Sequence, residues 1–220
     1  MDVEGVVQFF WSSGNQTLDY VAQENFTPEL LEYWCLQIVL PLFFTIEETY
    51  TFLHAGAVEV DNKKILFVAE SFGGKSTLTD YFLRQGHRLV SDDKVGTYQQ
   101  NNQLYAITSH PHHRPYRKME DLGIYVEHFA AEPGPIQAIY ALEKGPADVE
   151  ISIAELQGIE KFSVLGYASE MKLFFQQVQR FEYVARMAKL LPVYKVTVPW
   201  DLERLPEVHA VICEHSRLFK

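Results

Sequence analysis

The sequence predicts an α/β chain of the α+β kind: a mixed, largely antiparallel sheet with a glycine loop (P-loop) leading from one strand into a helix. Three observations carry this. The run Lys63-Lys64-Ile65-Leu66-Phe67-Val68 is rich in β-formers and empties through Gly73-Gly74 into Lys75-Ser76-Thr77, ahead of a helical pattern. Strand-like segments flank the polar turns Asp61-Asn62-Lys63 and Gln100-Asn101-Asn102-Gln103, so one hairpin lies before the loop and one after it. Doubly wound folds alternate strand and helix throughout, so hairpins on both sides of the loop point instead to antiparallel pairing.

Composition sets the outer limits. At 220 residues and 47% hydrophobic content the chain can bury one sizeable core, read as a single domain with residues 1–50 an N-terminal extension of it. The formal charge of −10 argues against nucleic acid or an anionic membrane surface as the main partner, because either would need a basic face. Cys35 and Cys213 stand far apart in no metal-like spacing, which predicts free thiols and a reducing cytoplasm. The acidic N-terminus has no basic segment followed by an apolar one, so no export signal is expected. The apolar stretch from Tyr33 to Phe44 contains Gln37 and Pro41 and predicts a buried helix ending near Pro41 rather than a membrane span.

The elements then follow in order. Residues 5–22 form a β-rich or irregular lead-in. Thr27-Pro28-Glu29 starts a helix, with Thr27 as N-cap and Pro28 at the first helical position. Residues 52–60 are a strand, and Lys63 to Val68 the strand that feeds the loop. Leu78, Tyr81 and Phe82 mark the buried face of a helix that stops at Gly86, a left-handed C-cap. A short strand from Arg88 ends at Asp92-Asp93. Ile136 to Leu142 and Val149 to Ile153 read as strands around Glu143-Lys144-Gly145-Pro146, and residues 157–167 as a short helix. Leu173, Phe174, Val178, Phe181, Val184, Ala188 and Leu191 recur at helical spacing, a broad apolar face. Tyr194 to Val198 is a strand, and Pro206 opens a last helix whose Cys213 and His215 are read as structural.

The loop is where chemistry is expected. Across Ser71, Phe72, Gly73, Gly74, Lys75, Ser76 and Thr77, the two glycines leave backbone N–H groups free to converge on an anion. Lys75 supplies a point charge between phosphates and Ser76 a hydroxyl for a magnesium ion. Ala69 stands where the usual pattern has its first glycine, and the alternative is a plain helix entry with Ser and Thr in the first turn. Asp92 and Asp93, at a strand end beside the loop, can hold magnesium and take a proton from an acceptor hydroxyl. Alternation along an extended chain would point them in different directions; otherwise they cap a turn.

Together, His54, the loop Ser71 to Thr77, and Gln85-Gly86-His87-Arg88-Leu89-Val90-Ser91-Asp92-Asp93-Lys94-Val95 resemble the catalytic domain of HPr kinase/phosphorylase, most densely from about residue 53 to 105. The resemblance implies a fold related to phosphoenolpyruvate carboxykinase, an ATP and magnesium site, and phosphoryl transfer to a serine hydroxyl. It implies Lys75 on the β and γ phosphates, Ser76 and Asp93 on the metal, Asp92 as general base, and His54 tuning charge near the transferred group. Ala69 and Phe72 replace glycines usual in that family, and Thr77 stands where glutamate is common. The chain resembles the shorter stand-alone relatives, some of which phosphorylate peptide precursors.

One basic patch stands out, His110-Pro111-His112-His113-Arg114-Pro115-Tyr116-Arg117-Lys118. Arg114 and Arg117 are candidates for holding phosphate oxygens or an acidic substrate tail, the alternative being an exposed solvated loop. Two functions from different classes remain open: an ATP- and Mg-dependent kinase acting on a peptide or protein hydroxyl, and a nucleotide-binding scaffold without chemistry. An oligomer is compatible with either.

Overall fold

A computed structural model describes residues 1–12, 17–116, 118–169, 173 and 175–219. It is a mixed α+β structure. Strands β1 (Asp2–Val3), β2 (Val7–Trp11) and β3 (Leu18–Ala22) form a small antiparallel sheet of their own. Helix α1 (Pro28–Trp34) opens on Thr27, whose hydroxyl accepts from the Leu30 N–H at 3.2 Å, the expected cap. Val7, Phe9 and Val39 bury together with Leu30, Leu31 and Trp34 around them, so this sheet and helix share one apolar cluster.

The helix does not end near Pro41. It passes through a π-helical turn, Cys35–Val39, and continues as α2 (Leu40–Ile46). The Leu40 N–H reaches the Cys35 carbonyl across the wider turn, and Pro41, which has no N–H to donate, follows that turn directly. By length and composition alone, Pro28–Ile46 is long and apolar enough to cross a membrane; here it lies against the N-terminal sheet.

The main sheet has the strand order β4 (Thr51–Leu53), β8 (Val95–Gln100), β9 (Gln103–Ala106), β12 (Gly134–Gly145), β6 (Lys63–Val68), β5 (Gly56–Val60), β7 (Arg88–Asp92). Strand β14 (Val193–Pro199) also pairs with β12, and β13 (Ser152–Glu155) with β14. Only β12 with β6 and β12 with β14 run parallel among these described pairings. Both hairpins form where the sequence places them, Asp61-Asn62 and Asn101-Asn102 supplying the positive φ that such two-residue turns require. Two bounds differ from the sequence reading: β12 continues through residues 143–145, and β13 spans Ser152–Glu155, where it pairs with β14.

Alternation along β6 divides the core. Ile65 and Phe67 face a cluster with Phe82, Tyr140 and Ile212, under helices α3 (Lys75–Arg84) and α6 (Leu205–Arg217). Leu66 and Val68 face the other, with Leu165, Val184 and Met187 of α4 (Gly158–Ala168) and α5 (Gln177–Leu190). The sheet is therefore covered on both faces. Each fully buried aromatic such as Phe67 or Phe82 contributes about 1.5–3 kcal/mol. The buried face of α5 is narrower than its sequence suggests, because Val178 and Phe181 are exposed; Phe174 lies outside the described residues.

One contact ties this packing to the loop. Helix α3 sits so close to β5 that a Cβ on Gly56 would come 2.2 Å from the Thr79 hydroxyl, which itself donates to the Lys75 carbonyl. Gly56→Ala is expected to push α3 off the sheet and lower stability by about 1–3 kcal/mol. Urea unfolding measures it, and an unchanged midpoint would show that the helix is not pressed on the strand.

Candidate functional site

Strand pairing assembles the site. Strand β7 runs antiparallel to β5 with Asp92 opposite Gly56, and His54, between β4 and β5, is anchored by its N–H to the Ala168 carbonyl at 2.7 Å. Strand β6 delivers the loop beside them, and α3 begins at Lys75. Three chain segments distant in sequence thus converge at one end of the sheet.

The loop is built from Ala69 to Gly74. The Gly73 N–H donates to the Glu70 carbonyl at 2.9 Å, Phe72 adopts φ 61 and is 97% exposed, and Gly74 adopts φ 85 as the helix N-cap. A Cβ on Gly73 would meet that of Ala69 at 2.8 Å, so this glycine is required by the turn. The first helical bond runs from the Leu78 N–H to the Gly74 carbonyl, so the amides of Lys75, Ser76 and Thr77 have no intrahelical acceptor. Lys75 is buried, Ser76 half-buried, and Ser71 and Thr77 exposed.

The two aspartates take opposite parts. Asp92 is 1% exposed, and its carboxylate accepts from His113 Nδ1 at 2.8 Å, the Arg114 N–H at 2.9 Å and the Asp93 N–H at 3.0 Å. Burial by itself would push its pKa up; the His113 hydrogen bond, the Lys75 and His113 charges and the Arg114 amide outweigh it and hold it down at about 2. The expected general base thus faces inward, committed to donors of the β10 segment (His112–His113).

Asp93 faces the loop. The Lys94 N–H reaches the Asp92 carbonyl at 2.8 Å, and Asp93, at the centre of that three-residue turn, adopts φ 67. This left-handed residue sends its carboxylate away from that of Asp92. Asp93 Oδ1 lies 3.4 Å from Lys75 Nζ and 3.4 Å from His54 Nδ1, and Oδ2 lies 3.6 Å from the Arg114 guanidinium.

Arg114 is buried, not part of a solvated loop. Its guanidinium stacks over Tyr33 at 5.4 Å and donates to Gln37 Oε1 at 3.3 Å and the Lys118 carbonyl at 2.9 Å. Arg117 lies outside the described residues. Gln37 also meets His110 Nε2 at 3.1 Å, so the N-terminal helix reaches into the site. Burial, then the neighbouring His112, brings the His110 pKa down to about 4. The roles of Gln37 and His113 carry no motif; both follow from packing between segments far apart in the chain.

A cleft of about 230 Å³ adjoins the loop, lined by Gly73, Gly74, Leu142, Val198, Trp200 and Leu205. Lys144 Nζ sits 3.8 Å from the centre of the Trp200 ring. A larger cavity of about 890 Å³ opens at the β4–β8 edge and carries none of the residues above.

No family model matches the chain, and no curated protein matches it. Among solved structures that match is the Hpr(Ser) kinase/phosphatase from Coxiella burnetii, at 18% identity, TM-score 0.48, over 76% of this chain and 96% of that one. That is a distant likeness of fold.

Proposed function

We propose that this chain is an ATP- and Mg-dependent phosphotransferase that moves the γ-phosphoryl group to a serine-type hydroxyl of a peptide or protein. The observation that carries the reading is the Asp93 carboxylate held at the mouth of the glycine loop between Lys75, His54 and Arg114. A polyphosphate entering there would meet Lys75, Arg114 and the amides opening α3. Phosphate oxygens would draw both cations away from Asp93, leaving its carboxylate to accept the proton of the acceptor hydroxyl as the phosphoryl group transfers. The base is therefore Asp93 rather than Asp92, with Asp92 a positioning residue that fixes the turn and His54 a neighbour that orients the carboxylate.

The residues present fit a magnesium ion of the usual kind, which takes few protein ligands and completes its shell with phosphate and water. Ser76, half-buried on the first turn of α3, would supply the hydroxyl, with phosphate oxygens and water completing the shell. Magnesium, when bound, neutralises phosphate charge. The apolar cleft beside Gly73 and Gly74, with Trp200 on its wall, is suited to a nucleobase.

Incubation with labelled ATP, magnesium and a peptide panel, with mass-spectrometric mapping of any phosphorylated residue, tests the reading. Calorimetry should show Lys75→Ala weakening ATP binding by roughly ten- to hundredfold, the loss of one charge-assisted contact. Trp200→Ala should weaken it by about fivefold or more, the worth of a stacked base. ATP bound without transfer to any acceptor would favour the scaffold instead; no ATP binding at all would remove the loop from any nucleotide site.

A further inference from the structure

At the C-terminal end of α3, the end away from Lys75 and Asp93, three potential metal ligands meet. His87 Nε2 lies 2.9 Å from His209 Nε2, and Cys213 Sγ lies 3.5 Å from His209 Nε2 and 3.9 Å from His87 Nε2. We propose that His87, His209 and Cys213 form a site for a zinc-type divalent cation, with a fourth position open to water.

The geometry fits without rebuilding. Zinc binds imidazole nitrogen at about 2.0–2.1 Å and thiolate sulfur at about 2.3 Å, and tetrahedral angles then need N···N of roughly 3.3 Å and N···S of roughly 3.6 Å. Each observed separation is within about half an ångström of that requirement. His209 and Cys213 stand four residues apart on α6, so their side chains share one helix face. His87 is placed by the end of α3: Gly86 adopts φ 89, its N–H meets the Leu83 carbonyl at 3.0 Å, and the His87 N–H meets the Phe82 carbonyl at 3.2 Å. That is the Schellman arrangement, and the His87 ring packs on Phe82 at 5.1 Å as the arrangement's apolar contact.

The donor set also suits the ion chemically. Two imidazoles and a thiol are borderline-soft ligands that favour zinc over magnesium, so this site and the phosphate site would not compete for one metal. Cys213 is buried and both histidines half-buried, which leaves an approach from solvent on the histidine side. Phe82 and Tyr81 border His209 at 4.6 Å and 5.6 Å, an apolar collar on one flank. A cation here would join α6 to the α3–β7 corner, two elements that otherwise meet through apolar packing. Cys213 would bind as thiolate, its proton released to solvent.

The test uses the whole chain with zinc, and with cobalt as a spectroscopic stand-in. Wild type should bind one equivalent of zinc with a rise in melting temperature, and cobalt should give a thiolate-to-metal charge-transfer band with tetrahedral visible bands. Cys213→Ser should lose the charge-transfer band, and His87→Gln, at a half-buried turn position, should weaken zinc binding at least about tenfold. Cys35→Ser, the other cysteine, should change nothing. Absence of saturable zinc binding to wild type would overturn the proposal, and so would zinc affinity untouched by both Cys213→Ser and His87→Gln.

Discussion

Asp93→Asn is expected to lower phosphoryl transfer by about a hundredfold or more while ATP affinity stays within about threefold of wild type. Asparagine is a clean probe at this position. It tolerates the left-handed backbone that Asp93 adopts at φ 67, so the turn closed by Lys94 on Asp92 should survive. It keeps an acceptor oxygen for Lys75 or His54 while removing the negative charge between the cations together with the capacity to take a proton. The measurement is single-turnover transfer to whichever acceptor the labelled-ATP screen identifies, beside calorimetric ATP binding with and without magnesium. Unchanged transfer would end the base assignment. Loss confined to magnesium-dependent ATP binding would make Asp93 a metal ligand, the role the sequence resemblance implies for it.

Asp92→Ala should instead damage the fold. Truncation leaves His113 Nδ1 and the N–H groups of Arg114 and Asp93 buried without their acceptor. Removing one partner of such a buried charged network costs about 3–5 kcal/mol, roughly a 10 °C drop in melting temperature for a chain of this size. The pH dependence has a definite sign. The folded pKa of about 2 lies below the ordinary 3.8, so the carboxylate's contribution is fully present above about pH 4 and is lost as pH falls through about 2. That linkage is worth about 2 kcal/mol at neutral pH. Urea midpoints of wild type and Asp92→Ala should therefore converge as the pH falls from 4 toward 2. A gap that stays constant across that range would show that Asp92 stabilises through packing rather than charge. Full stability of Asp92→Ala with lost transfer would return the base role to Asp92.

Much of this was legible in the chain. Thr27, the turn pairs Asp61-Asn62 and Asn101-Asn102, and Gly86 each dictate local geometry through their own side chains or their lack of one, so caps, hairpins and helix ends fell where expected. The loop's strand and helix were equally plain, because β6 and α3 have the composition and period of their elements. Pro41 misled for a local reason: a π-helical turn absorbs its missing donor, and nothing in the residues announces a wider turn. Val178 and Phe181 fit a helical period yet stay exposed, because period alone does not say how wide a face the neighbouring α4 and sheet will cover.

The residues by themselves determined which groups carry charge and which segments bend, since those properties depend on neighbours within a few positions. Which of two adjacent carboxylates turns inward was decided only when β10 brought His113 and the Arg114 amide against the end of β7. Hydrogen-bond donors from a remote segment chose Asp92 and left Asp93 to the loop. The meeting of His87 with His209 and Cys213 has the same cause, because α3 and α6 are neighbours only once both lie on one face of the sheet.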